Sequence, residues 1–390
     1  MSFSEFMAQY YRERLQFYES LDLGRCTEAE LIAVGGEASS LQKFLFDILE
    51  EGYEETVNRL VTQTDAINRL SRFLPILLQR LGPQHQQERF YLFPERVHLD
   101  TLGPGASMEG KSFELHEYLA YLDTQSDCPL DIASCFEDVQ QMRRWRAKTQ
   151  VLMAEMFAFL TWVLRRLTQR KLFVPVPLLR DTLLVQIGLR LLRHHGIPIR
   201  EPKPVLMGRR FADMFGDGRQ IHGALANVIY RVLLEHGPCD LATMQRKFGE
   251  YVREDLAIPA SFTQASRAYL EALSLEGLPL FIESGVQGTF PLWLLALSSN
   301  VGEMVFYVTA PWLYRTYSKV VFRKNYNYLR EIETIVAHDH LFQFKAIQAG
   351  NVFIEETPNE CIRSLALYEI HVFKEIVKNR MDEVSCRVHA

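Results

Sequence analysis

Apolar residues recur at helical spacing along most of this chain. Phe3, Phe6, Met7, Tyr10, Tyr11, Leu15 and Tyr18 fall on one face of a helix, and Ser2 with Glu5 fits a capping box at its start. Further helical stretches are expected over 41–61, weakened by Gly52, and over 66–81, kinked at Pro75. Residues 84–112 change character. Phe90-Tyr91-Leu92-Phe93 and Val97-His98-Leu99 read as short strands, and Gly103-Pro104-Gly105 as a turn. Helical spacing returns over 113–122. A long helix is expected over 139–172, broken by Pro175 and Pro177, and another over 178–194, ending at Gly196. A connector rich in Pro and Gly occupies 196–220. Beyond it the spacing predicts helices near 224–236, 241–252, 261–273, 292–307, 311–335 and 359–381. The last has Ile362, Leu365, Tyr368, Val372, Phe373 and Ile376 on one face. No regular alternation of strand and helix is visible. The expected fold is therefore all-α or mostly α. It has two helical lobes, 1–215 and 216–390, a basic cleft between them, and short strands at most near 90–100.

Composition narrows the class without naming a function. With 390 residues, 48% hydrophobic and 23% charged, the chain is ordinary globular protein. The run 149–164 is almost free of charge but contains Glu155, and it is shorter than the roughly 20 residues of a spanning helix, so it reads as a buried helix. No membrane span is expected. The chain does not start with a basic-then-apolar signal pattern, which leaves an intracellular location as the expectation: the cytoplasm or nucleus of a host, or the virion if the protein is viral. Six cysteines are scattered with no CxxC, as reduced thiols would be.

Charge adds more. Residues 1–142 carry 11 Lys/Arg against 24 Asp/Glu, net −13; residues 143–219 carry 16 against 5, net +11; residues 220–390 carry 16 against 19, net −3. A positive middle between negative flanks implies an anionic partner or a complementary part of the same molecule. Within the middle, Arg165, Arg166, Arg170 and Lys171 end one helix, Arg180, Arg190 and Arg193 belong to the next, and Arg209 and Arg210 lie in the connector. Several cations around a cleft suit phosphates, and arginine forks bind oxygens in pairs. Cations at helix C-termini also favour the helix dipole and need no ligand. The stretch 314–330 interleaves Arg315, Lys319, Arg323, Lys324 and Arg330 with Tyr314, Tyr317, Phe322, Tyr326 and Tyr328 and holds no acid. Basic residues among aromatics suit single-stranded nucleic acid, where cations follow the backbone and rings stack on bases; a core-facing aromatic stripe with a solvated cationic face fits equally well.

Catalytic signatures are missing. There is no Walker loop, no strand-linked GxGxxG, no GxSxG, no HExxH and no pair of ExxH motifs. His338-Asp339-His340 and His194-His195 read as structural, since adjacent residues on a helix point apart. No catalytic residue, metal ligand or cofactor is expected, and the chain is read as a binding protein and not as an enzyme.

One region resembles a known family. Phe248-Gly249-Glu250-Tyr251-Val252-Arg253-Glu254 precedes Phe262 and a helix, and Gly288-Thr289-Phe290-Pro291-Leu292-Trp293 opens an apolar one. This is similar to the central region of nucleoproteins of non-segmented negative-strand RNA viruses, of the smaller bornavirus and nyamivirus type. The likeness covers about 60 residues. Gly285 stands where that family has Phe, and Leu297-Ser298-Ser299 where it has Ala-Met-Gly. The resemblance implies two helical lobes that clamp single-stranded RNA without sequence specificity. It implies a cleft floored by the basic middle and faced by 314–330, and a homo-oligomer joined through terminal arms, here 2–18 and 359–381. The alternatives are a non-viral interaction or regulatory protein whose basic middle docks on its own acidic part and, third, a helical metal-dependent enzyme.

Overall fold

A computed structural model describes residues 3–27, 111–127, 131–179, 181–253, 258–285, 287–298, 301–323, 337–348 and 351–384, with Glu30, Leu31, Val34, Gly35, Glu37, Ala38, Leu41, Arg69, Phe73 and Ile76 between. The chain opens with helix α1 (Phe3–Ser20). Strand β1 (Ser112–Glu114) leads into α2 (Leu115–Gln125), followed by the long α3 (Val139–Gln169). Then come β2 (Phe173–Pro177), α4 (Leu183–His194), the single turn α5 (Arg209–Ala212), α6 (Gly218–His236), α7 (Leu241–Tyr251) and α8 (Ala260–Ala272). The chain continues through β3 (Leu278–Glu283), α9 (Thr289–Leu297), β4 (Glu303–Val308), α10 (Tyr314–Tyr317) and β5 (Val321–Arg323). It closes with β6 (Phe342–Gln348), β7 (Asn351–Glu356) and α11 (Glu360–Asn379).

The all-α expectation is wrong. Strands β2-β3-β4-β5 form a parallel sheet in that order, and β1-β7-β6 form an antiparallel one, so the fold is mixed α/β. The parallel sheet draws on both sides of the expected boundary: β2 precedes residue 215, while β3, β4 and β5 follow it. The physical reason is the burial of both sheet faces. β2 is buried at every position, and β3 and β4 at all but their ends. A strand covered on both sides shows no period of two, only a short apolar run, and such a run is indistinguishable from buried helix by spacing alone. Thus 292–307, expected as one helix, is α9, a turn and β4. Gly302 turns the chain at φ +123, where a Cβ would sit 2.6 Å from the Pro279 carbonyl oxygen. The helix expected over 311–335 stops at Tyr317, and 321–323 pairs with β4. The helix segments expected over 42–61, most of 66–81, the strands near 90–100, and 324–336 lie outside the described residues.

Pro175 and Pro177 end the helical pattern as expected, yet they sit inside a strand. Their carbonyls accept hydrogen bonds from Lys203 N–H and Val205 N–H at 2.9 Å each, while Leu178 N–H donates to Ile282 on the other side. Residues 175 and 177 therefore face the edge, where a missing N–H breaks no bond to β3. Val205 forms a parallel bridge to Leu178, so the sheet gains a rudimentary strand outside β2.

Helix α3 covers one face of the parallel sheet: Phe159 meets the Tyr307 ring edge-on at 5.4 Å, and Tyr307 Oη donates to Glu155 at 3.2 Å. Gly188 of α4 lets that helix close on α3, since a Cβ there would lie 2.5 Å from a Leu160 methyl. Phe306, the neighbour of Tyr307, points the other way and stacks on Tyr317 at 4.9 Å. Both terminal helices pack on their own chain. Tyr11, Leu15 and Tyr18 of α1 and Leu365, Ile370 and Phe373 of α11 belong to the main core. No helix among the described residues is long and apolar enough to cross a membrane.

Candidate functional site

The parallel sheet reverses its winding between β2 and β3. From β2 the chain leaves through Leu178 and α4 to Val205, on the outer side of β2. From β3 it leaves through α9 to β4, on the opposite side. The two loops diverge, and a crevice opens between them at the carboxyl ends of the strands, the place where open α/β sheets bind ligands. Here the crevice has a volume of about 930 Å³, the size of a small-molecule site.

Three walls line it. The floor is Leu178, Leu179 and Asp181 after β2 with Glu283, Gly285, Gln287, Gly288, Thr289 and Phe290 around the end of β3. One side comes from 206–222 and carries Arg210, Arg219 and His222; the far side is Gln343 and Phe344 of the antiparallel sheet.

The loop between β3 and α9 is built around Gly288, the N-cap of α9, at φ +69 and ψ +27. A Cβ there would stand 2.6 Å from Phe306 Cζ, so both the backbone angle and the sheet beneath demand glycine. No side chain caps α9. Thr289, its first residue, is 3% exposed, and its hydroxyl makes no hydrogen bond. Gln287 is held by its Nε2 donating to Tyr230 Oη at 2.7 Å and by Tyr317 Oη donating to its carbonyl at 3.2 Å, while its Oε1 has no partner. The Ser284 hydroxyl donates to Asp181 Oδ2 at 3.1 Å, which brings Asp181 beside Glu283. Burial, and then the Asp181 charge, push the Glu283 carboxyl up to about 8, and its Oε2 is buried without a hydrogen bond. A helix N-terminus without a side-chain cap favours anions, and Arg210 and Arg219 line the same crevice. Two carboxylates, Asp181 and Glu283, lie on the floor of the same crevice.

The cations expected from the sequence are largely elsewhere. Arg166 lies over the Trp162 ring and donates to the Lys319 carbonyl. Arg170 pairs with Glu303, and Arg323 forms a double bond pair to Glu155 at 2.5 and 2.8 Å. Arg190 pairs with Asp123 at 3.2 Å and Arg193 with Glu201. Arg165, Lys171, Arg315 and Lys319 are exposed. The structure therefore brings 165–171 and 319–323 together on α3, but through acids and carbonyls of the same chain. Among the described residues of the expected set, Arg210 alone lines the crevice. Arg180, Lys324 and the Arg209 side chain lie outside the described residues. His338 is a buried structural group: its Nδ1 and N–H, with Ala337 N–H, meet the Glu369 carboxylate at 2.8–2.9 Å.

Sequence reasoning placed Arg219 among the connector's cations but missed Asp181, His222, Glu283, Gln287 and Thr289. A signal existed: the apolar run 278–282 followed by Gly285-Val286-Gln287-Gly288-Thr289 and an apolar helix is a strand, a glycine loop and a helix start. Compared with family models, curated proteins and solved structures, the chain matches none.

Proposed function

We propose that the crevice binds a small anionic molecule carrying phosphate, such as a nucleotide or a sugar phosphate. The observation that carries this reading is the buried, partnerless Thr289 hydroxyl at the uncapped start of α9, in a crevice that Arg210 and Arg219 also line. A buried hydroxyl without a partner costs the fold stability, so a ligand oxygen is its natural complement. Thr289→Val separates the two roles. It removes a hydroxyl that supports no protein contact, so the melting temperature stays level or rises. Affinity for inorganic pyrophosphate or a nucleoside triphosphate, measured by calorimetry, should fall roughly tenfold, as should that of Arg210→Ala. No heat from any phosphate compound, or equal affinity in both variants, would remove this reading.

A second reading, a protein that coats single-stranded RNA, draws on one observation: Arg165, Lys171 and Lys319 are exposed where 165–171 meets 319. Against it, Arg166, Arg170 and Arg323 are engaged within the chain. An RNA coat would purify with nucleic-acid absorbance at 260 nm, and each removed cation would lower the log–log salt slope by about 0.7. A protein-like spectrum and no salt-dependent RNA binding leave the crevice as the site.

A further inference from the structure

Two carboxylates share the floor of the crevice without a cation between them. Asp181 follows β2, Glu283 ends β3, and the Ser284 hydroxyl on Asp181 Oδ2 ties the two loops together. No described Lys or Arg pairs with either. Glu283 Oε2 is buried and makes no hydrogen bond, and Thr289, whose hydroxyl is equally buried and partnerless, lines the same crevice. Hard oxygen donors of this kind are what a small divalent cation takes. Magnesium uses one or two carboxylates, keeps several waters, and completes its shell with phosphate oxygens of the substrate. No group of three His, Cys, Asp or Glu side chains able to hold an ion exists among the described residues, so a protein-only cage is not on offer. A cation shared between two carboxylates and a ligand is.

We infer that Asp181 and Glu283 hold a divalent cation of the magnesium class, and that it enters the crevice bridged to a diphosphate on the ligand. This rests on the phosphate reading above. The chemical class of ligand narrows accordingly, from any phosphate to one with two adjacent phosphates that can chelate a metal, since a single phosphate offers the cation fewer oxygens.

The full chain is titrated with inorganic pyrophosphate and with orthophosphate, each in magnesium and in EDTA. Pyrophosphate affinity should rise at least roughly tenfold with magnesium, and orthophosphate affinity should change much less. Asp181→Asn and Glu283→Gln should then show opposite signs in the two buffers. In EDTA neither variant adds a charge to the crevice, and both bind pyrophosphate as well as the wild type or better. In magnesium they lose the metal and bind it worse. Circular dichroism melts confirm that both variants fold, and the wild-type comparison stands without them. Equal pyrophosphate affinity with and without magnesium overturns the cation and leaves the phosphate site intact. So does tighter binding by both variants in magnesium as well as in EDTA, since the carboxylates then only repel. If pyrophosphate binds in neither buffer, the phosphate reading fails. Manganese alone, followed by its electron spin resonance, then decides the metal: binding that both variants abolish supports it, and no binding overturns it.

Discussion

At the scale of single residues, the crevice depends on positions whose role lies in shape and in unmet hydrogen bonds. Gly288 is the sharpest case. Gly288→Ala forces a side chain onto a left-handed backbone and against Phe306. Stability should drop by about 1–3 kcal/mol in urea unfolding, and pyrophosphate binding should be lost even where the protein still folds. Lys374 tests a different kind of site. Its ammonium, 7% exposed, donates to the Asp123 carbonyl at 2.7 Å and to Asp127 at 2.6 Å, with the Ser126 hydroxyl at 3.4 Å. Lys374→Met takes the ammonium from the Asp123 carbonyl and the buried Ser126 hydroxyl and should cost about 2–4 kcal/mol. Asp127→Asn should cost under about 1 kcal/mol, because that carboxylate is 59% exposed. The hydrogen bond from Lys374 holds Asp127 below the ordinary carboxylate range. A depressed pKa gives stability that is present above the unfolded value, near pH 4, and is lost as pH falls through the folded one. The gap between wild type and Asp127→Asn should therefore be seen at neutral pH and close below about pH 4.

At the scale of elements, the legible and the illegible parts of the sequence divide by burial. Amphipathic helices were readable: 359–381 is α11, and 241–252 is α7, because a helix with one wet face writes its period into the chain. Leu278–Glu283 and Glu303–Val308 have no wet face and so no period. Their glycines and prolines marked boundaries, but not the state between them. The same loss hid the site, since a crevice at strand ends is invisible until the strands are recognised. The cations illustrate the converse: their clustering was legible, their partners were not. Arg323 meets Glu155, 168 residues away, and Arg170 meets Glu303, 133 away. These pairs clamp α3 onto β4 and β5. A double-mutant cycle on Arg323→Ala and Glu155→Ala should give a coupling of about 1–2 kcal/mol, since Glu155 is only 17% exposed. Arg166→Ala should lower the melting temperature, Arg170→Ala, whose side chain is 62% exposed in its pair with Glu303, should lower it less, and the exposed Arg165→Ala and Lys171→Ala should leave it unchanged. Equal effects across all four would mean that α3 is not held this way.

At the scale of the whole molecule, the N-terminal helix separates a self-contained subunit from one that assembles through exchanged arms. An aromatic face at a chain end must be buried, but spacing cannot say on which copy. In the structure Tyr11, Leu15 and Tyr18 are each at most 5% exposed and join the main core, and Tyr10 meets Trp312 edge-on at 6.1 Å. Arg14 adds an ion pair to Glu37 at 2.6 Å. Burying large apolar side chains contributes about 1.5–3 kcal/mol each, so three of them supply a large part of a net stability that is commonly about 5–15 kcal/mol. Removing residues 1–20 also uncovers the surface beneath them. The shortened chain should therefore melt without cooperativity or be recovered as aggregate. An arm that reached a neighbour would behave differently: its deletion would release folded, soluble monomers with an unchanged melt. Size-exclusion chromatography with a calorimetric melt distinguishes these results, and well-folded monomers would show that α1 contributes less to its own core than its burial implies.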